Sequence, residues 1–275
     1  MYYSYETEKE FARALALRVS LKFEKAHYVA VSAEELTAIE PQLCSGLAGA
    51  IFIPGAAYTT SPLALSQCFF QLFVEQGGKF VQAEVSGFEK TTHRVVAVEA
   101  DQKISADEVF ITAGAYSKTL ARALGSNVPL DTERGYHLML PNPEIEIQSS
   151  FLFTERGLGV TPMQDGLRLA GTVEFGGLDA APNYRRAEIL GVHGKQLLPQ
   201  LNLDGGRPWM GYRPSLPDSI PVISDSPHYS NVHYGFGHGH LGLTQAAITG
   251  AMLAALADGK ETVVDSEPYR IDRAW

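Results

Sequence analysis

Cysteine is nearly absent from this chain: Cys44 and Cys68 are the only two in 275 residues, and no CxxC pair occurs. That excludes a disulfide framework and argues against a structural metal site, while free thiols point to a reducing compartment. Basic runs are absent too, and the net charge is -9. Gripping a phosphate backbone needs clustered lysine and arginine, so nucleic acid is excluded as a partner and a small molecule is favoured. No apolar run approaches the roughly 20 residues that cross a bilayer. The start, Met1-Tyr2-Tyr3-Ser4-Tyr5-Glu6, lacks the basic-then-apolar pattern of a leader. The expectation is a cytoplasmic chain with no transmembrane segment. A motif is missing as well: no strand near the start leads into GxGxxG, the turn that holds a dinucleotide pyrophosphate. Gly235-Phe236-Gly237-His238-Gly239 is no substitute, because its glycines are spaced differently and lie at the other end of the chain.

What is present is a globular composition, 45% hydrophobic and 19% charged, enough for one large domain or two modest ones. The most informative stretch is Gly235-Phe236-Gly237-His238-Gly239-His240-Leu241-Gly242-Leu243-Thr244. It runs from an apolar strand through a glycine turn into a helix with no charged residue from Leu241 to Ala257. Glycines let backbone approach a ligand without a Cβ in the way, and a helix start presents unsatisfied N–H groups to an anion or an electron-rich ring. His238 and His240 are two residues apart and have no third ligand at recognisable spacing, so a shared metal is disfavoured. His137, His228 and His233 read as structural.

Periodicity places an amphipathic helix in the first twenty residues, with Phe11, Leu15 and Leu17, then a strand near Tyr28 to Val31. Ser32-Ala33-Glu34-Glu35 reads as a capping box opening a helix that ends before Pro41, and Ser61-Pro62 opens another with an apolar face of Leu65, Phe69, Leu72 and Phe73, stopped by Gly77-Gly78. Runs over Phe80 to Phe88 and Arg94 to Ala100, returning at Ile104, predict a β-meander. Val109 to Thr112 predicts a buried strand, a turn at Ala113-Gly114-Ala115, and a helix capped by Ser117 and running through Leu124. Residues 130 to 175 predict an antiparallel sheet. A helix is expected from Pro182 to about Leu198, then a proline-rich loop from Pro208, strands near Ile220 and Val232, and the glycine turn with its helix.

Taken in order, these segments resemble the FAD-dependent D-amino-acid oxidase and dehydrogenase family, most like the bacterial D-amino-acid dehydrogenases. Asp107-Glu108-Val109-Phe110-Ile111-Thr112-Ala113-Gly114-Ala115-Tyr116-Ser117 is similar to the family's strand and turn beside the FAD phosphates, and Arg134-Gly135-Tyr136 to the segment after it. Gly171-Thr172-Val173-Glu174-Phe175 resembles a substrate-domain strand. The run from Gly211 through Arg213 and Pro214 to Ile223, with Gly237 to Thr244, resembles the two stretches nearest the flavin ring. The resemblance implies a mixed α+β and α/β fold: an incomplete FAD-binding, Rossmann-like domain (77–125 and 208–275) with an antiparallel-sheet substrate domain (1–76 and 126–207). Two departures stand out. The family's opening βαβ unit with GxGxxG is not seen, so a fragment or a shortened reading frame is expected, and Ser224 stands where the family has glycine.

The resemblance also implies the chemistry. Arg213 would bind the carboxylate of a D-amino acid, since a guanidinium fork matches a carboxylate bidentately. Tyr136 is a weaker candidate facing the substrate, Glu174 weaker again, and His240 lines the flavin edge. Ala113 and Gly114, with Gly237, His238, Gly239, His240, Leu241, Gly242, Leu243 and Thr244, are the FAD-binding candidates. The helix start would stabilise negative charge on the reduced ring and raise its potential. The implied reaction is oxidative deamination to a 2-oxo acid by hydride transfer to flavin. The competing readings are a non-catalytic remnant or partner-requiring subunit, and a metal-dependent hydrolase using His238 and His240. Truncation through a sheet implies exposed edges and self-association or a partner chain. Docking at the inner-membrane surface is left open.

Overall fold

A computed structural model describes residues 1–20 and 27–275. The chain forms two compact units, unit 1 of residues 1–70, 135–173 and 181–211, and unit 2 of residues 71–134, 174–180 and 212–275. It is a mixed α/β fold.

In unit 1 the chain opens with β1 (Tyr2–Tyr5), α1 (Glu8–Ser20), β2 (Val29–Ser32), α2 (Ala33–Ile39) and β3 (Gly49–Phe52). α3 (Pro62–Glu75) carries it into unit 2, where β4 (Gly87–Lys90), β5 (Val95–Glu99), β6 (Lys103–Ser105), β7 (Val109–Ile111) and α4 (Ser117–Ala123) follow. β8 (Asp131–Leu140), β9 (Phe151–Phe153), β10 (Leu158–Met163), β11 (Gly166–Phe175), α5 (Arg185–Leu197) and β12 (Arg207–Ser215) come next. β13 (Val222–Asp225), β14 (Val232–Phe236) and α6 (Gly242–Ala257) complete unit 2.

The large sheet has the strand order β12-β8-β11-β10-β9-β1-β3-β2. β9, β10 and β11 form an antiparallel run in the register Val160↔Phe151 and Val160↔Leu169, and β1 joins its edge parallel to β9 and antiparallel to β3. β1 was not anticipated from the sequence. Its Tyr2 ring stacks between Phe52 (4.6 Å) and Phe151 (5.1 Å), so aromatic contact across three strands holds it; such pairs contribute about 0.5–1.5 kcal/mol each. Leu138, Leu140, Leu167 and Leu169 alternate onto the face that meets Leu190 and Leu197 of α5, forming the unit's core.

β12 is a second correction, because the stretch from Pro208 was expected as a loop. Proline withholds a ladder donor and is tolerated at a sheet edge, and β12 is the terminal strand of the order. The capping box is present as read: Ser32 Oγ accepts from Glu35 N–H at 3.2 Å, and Glu35 Oε2 accepts from Ser32 N–H at 2.8 Å. α5 begins at Arg185 rather than Pro182.

Unit 2 holds the expected meander, β4-β5-β6, and a second sheet ordered β13-β14-β7. The buried Asn231 joins them: its Oδ1 accepts from Val95 N–H at 2.9 Å, and its Nδ2 donates to the carbonyls of Val95 and Asp107 at 2.8 Å. Three readings need correction here. Residues 80–86 carry no regular strand. Ser117 is the first residue of α4 rather than its cap, and its buried Oγ has no partner. α3 buries none of its residues, so the expected apolar face of Leu65, Phe69, Leu72 and Phe73 is exposed. Its end is as read: Gly77 at φ +91 lets Gly78 N–H reach back to the Phe73 carbonyl at 2.9 Å, a Schellman closure.

Candidate functional site

β14 runs parallel to β7 in the register Val232↔Val109 and Tyr234↔Ile111. Parallel neighbours end on the same side, so the turn after β7 (Ala113 to Tyr116) and the turn after β14 (Gly237 to His240) emerge together at the carboxyl ends of the strands, where α/β sheets hold ligands. β7 is the end strand of its sheet. A groove of about 230 Å³ lined by Val85, Phe88, Val109, Phe110, Thr112 and Ala113 runs beside it.

Packing explains the glycine turn. A Cβ at Gly237, which sits at φ +88, would come within 2.4 Å of Leu216 Cδ1. Gly239, at φ +54, donates its N–H to the Pro214 carbonyl at 2.7 Å. Leu241 N–H then closes a turn onto the His238 carbonyl at 2.9 Å before α6 begins at Gly242. The first amides of α6 come after this turn, and the positive end of a 16-residue helix stands there. His238 Nε2 lies 2.9 Å from Thr249 Oγ1, which fixes the turn to the body of α6, and burial lowers its pKa. His240, Leu241, Leu243 and Thr244 are exposed.

The bond between Gly239 and Pro214 brings two of the sequence-predicted segments together, because Pro214 follows Arg213 on β12. Arg213 is half-buried, and burial lowers its pKa while Glu133 opposes that shift. Beside it, Tyr212 donates its hydroxyl to the Leu178 carbonyl at 3.0 Å and meets Tyr116 edge-on at 6.3 Å. Arg134 lies beneath the Tyr212 ring at 5.7 Å. Its Nε and Nη2 donate to the carbonyls of Gly177 and Ala180 at 2.7 Å, and Glu174 is 3.6 Å away. Glu174 is thus a partner of Arg134, which sequence reading had treated only as part of a motif.

Tyr136 belongs to unit 1, is 1% exposed, and accepts a hydrogen bond from Asn183 N–H at 3.0 Å. That places it as a support for the loop before α5. Among the described residues no group of three or more His, Cys, Asp or Glu side chains could hold a metal ion. No helix among them is long and apolar enough to cross a membrane.

Chemically, the unit 2 site joins a half-buried guanidinium, a glycine turn shaped by close packing and an unencumbered helix start. It suits a flat, electron-rich ligand and a carboxylate. A D-amino-acid oxidase from Bradyrhizobium diazoefficiens is 36% identical over 247 residues, covering 88% of this chain and 59% of that protein. A glycine oxidase from Pseudomonas aeruginosa is 31% identical over 251 residues, covering 87% of this chain and 66% of the other. The chain therefore spans about three fifths to two thirds of the length of these relatives. Glycine oxidase from Geobacillus kaustophilus has the same fold, with a TM-score of 0.88 at 21% identity over 100% of this chain and 74% of that one. The profile of the FAD dependent oxidoreductases matches residues 1–256, and the chain belongs to that family.

Proposed function

We propose that this chain carries the substrate-gripping and ring-facing portion of an FAD-dependent oxidoreductase that deaminates D-amino acids oxidatively to 2-oxo acids. The observation that carries the reading is the hydrogen bond from Gly239 N–H to the Pro214 carbonyl, which ties the strand bearing Arg213 to the glycine turn. Bound FAD would supply the hydride acceptor for oxidation at the substrate's α-carbon.

The chain's own residues do the rest. Arg213 would hold the substrate carboxylate in a bidentate grip and so fix which face of the α-carbon is presented. Gly237 to Thr244, with Ala113 and Gly114, would hold the cofactor; Gly114 fits, since its φ is +56 and a Cβ there would meet open space. The start of α6 would favour negative charge on the ring. His240, exposed at the turn, stands as the edge residue, and His238, through Thr249, keeps the turn in place. Unit 2 thus carries both the cofactor-holding turns and, through Arg213, the grip on the substrate carboxylate.

The test is an FAD titration of the purified chain, followed by visible flavin absorbance and by turnover of a D-amino acid panel. The reading expects saturable FAD binding that Gly237→Ala weakens, and turnover that Arg213→Leu removes while flavin binding stays. A chain that takes up no flavin alone or after refolding with it would end the claim for this chain. Self-association through α3 is part of the same reading, because Pro62 to Val74 carries no charge and stays exposed. Light scattering that gave a monomer at high concentration would refute it.

A further inference from the structure

The large sheet has a second face in unit 1. In β11 Leu167 and Leu169 turn into the core, and in β8 Leu138 does the same, so Arg168 and His137 between them lie on the opposite face. β12, β8 and β11 are consecutive in the sheet, and each contributes one side chain. Trp209 of β12 stacks on His137 with ring centroids 4.8 Å apart at 17°. Across β11 and β10, Arg168 is the register partner of Thr161, whose hydroxyl is already 3.0 Å from Ser150 Oγ.

Among the described residues Arg168 is a cation without a counter-ion. Its Nε is buried and, among the described residues, has no hydrogen-bond partner, and none of their carboxylates lies within ion-pair distance. Burial alone lowers its pKa, with no acidic group opposing. His137 feels it directly: desolvation and then the Arg168 charge bring that ring down to about 4, so at neutral pH it adds no charge. A half-buried guanidinium whose Nε is shut off from water without a partner is costly, and a carboxylate supplied from outside relieves that cost in a way that water does only in part.

We infer that this face of unit 1 is a carboxylate-binding site, with Arg168 gripping the acid group and the indole of Trp209 receiving the apolar part of the same small molecule. Only the guest's identity as an amino-acid substrate or product rests on the proposed function; the site itself rests on Arg168, His137 and Trp209. It is distinct from the grip assigned to Arg213, which has Glu133 to offset its charge.

The experiment uses the full chain with Trp275→Phe, which leaves Trp209 as its one indole of the two in the sequence. The probe is 3-methylbutanoate, with uncharged 3-methylbutanamide as control and no flavin added. The inference expects saturable change in Trp209 fluorescence with the acid and none with the amide. Arg168→Met should weaken the acid about tenfold or more, as loss of a charged hydrogen-bond pair does, and Arg168→Lys should fall between, because an ammonium keeps charge but not the fork. In the unsubstituted chain, the titration midpoint of the His137 ring followed by NMR should rise when the acid is bound. Equal response to the amide, no saturable response to the acid, or full binding in a folded Arg168→Met chain would overturn the site. Carboxylate binding without FAD uptake would break only the flavin reading, and FAD uptake without carboxylate binding only this inference.

Discussion

Unit 2 and unit 1 each withdraw an arginine from water, unit 2 fully and unit 1 in part, and they provide for it in opposite ways. Arg134 in unit 2 is fully buried with two carbonyls, Glu174 and the Tyr212 ring around it. Arg168 in unit 1 is screened from water at Nε, yet among the described residues that nitrogen has no acceptor and no carboxylate lies within ion-pair distance of the side chain. The first cation is a fixture that shapes the strand end next to Arg213. The second leaves capacity unspent, and unspent capacity in a folded protein is where a ligand gains most. Arg134 is fully buried and Arg168 half-buried, and their partners separate them further.

The contrast can be broken most directly by removing each charge. Arg134→Met should destabilise the chain by about 3–5 kcal/mol, because Glu174 and two carbonyls lose their donor. Arg168→Met should leave stability unchanged or raise it by about 1 kcal/mol, since only an uncompensated charge is lost. Urea denaturation of the two variants reads this difference, and equal losses would abolish it. A smaller effect tests the rigidity of the turn beside Arg213. Gly237→Ala puts a side chain at φ +88 against Leu216, and should cost about 1–3 kcal/mol in the same assay.

The smallest effect concerns pH and sharpens the account of Arg168. The His137 ring has a folded pKa of about 4 against 6.5 when unperturbed. Above pH 6.5 neither folded nor unfolded chain binds that proton, so there is no penalty. As pH falls from 6.5 to about 4 the unfolded chain takes it up and the folded chain does not, so stability is lost across that window. His137→Asn should make the decline shallower there and leave it unchanged above it. Denaturation midpoints at a series of pH values would show this, and an unaltered slope would remove His137 from the explanation.

Much of this was legible in the sequence where the signal is local. The box at Ser32 and Glu35, the double glycine after α3, the meander and the strand-turn-helix after Val109 are each set by neighbours within a few residues, and the structure follows them. The residues that failed depend on distant partners. β1 exists because Phe52 and Phe151 meet Tyr2, and β12 because an edge tolerates Pro208 and Pro214. The apolar stripe of α3 was read correctly as a pattern, but pattern does not say whether anything lies against it. The candidate site divides in the same way. The glycine turn was legible in its own residues and Arg213 came from motif resemblance, whereas Arg168 gave only the alternation Leu167-Arg168-Leu169, whose meaning requires knowing that His137 and Trp209 lie on adjacent strands.

The side-chain amide of Asn231 clasps both backbone groups of Val95 and the carbonyl of Asp107. Its effect is to make the meander and the β13-β14-β7 sheet share a single opening event. In deuterated water the Val95 amide proton should therefore survive nearly as long as the slowest protons of β14, reporting whole-unit unfolding rather than fraying of a surface hairpin.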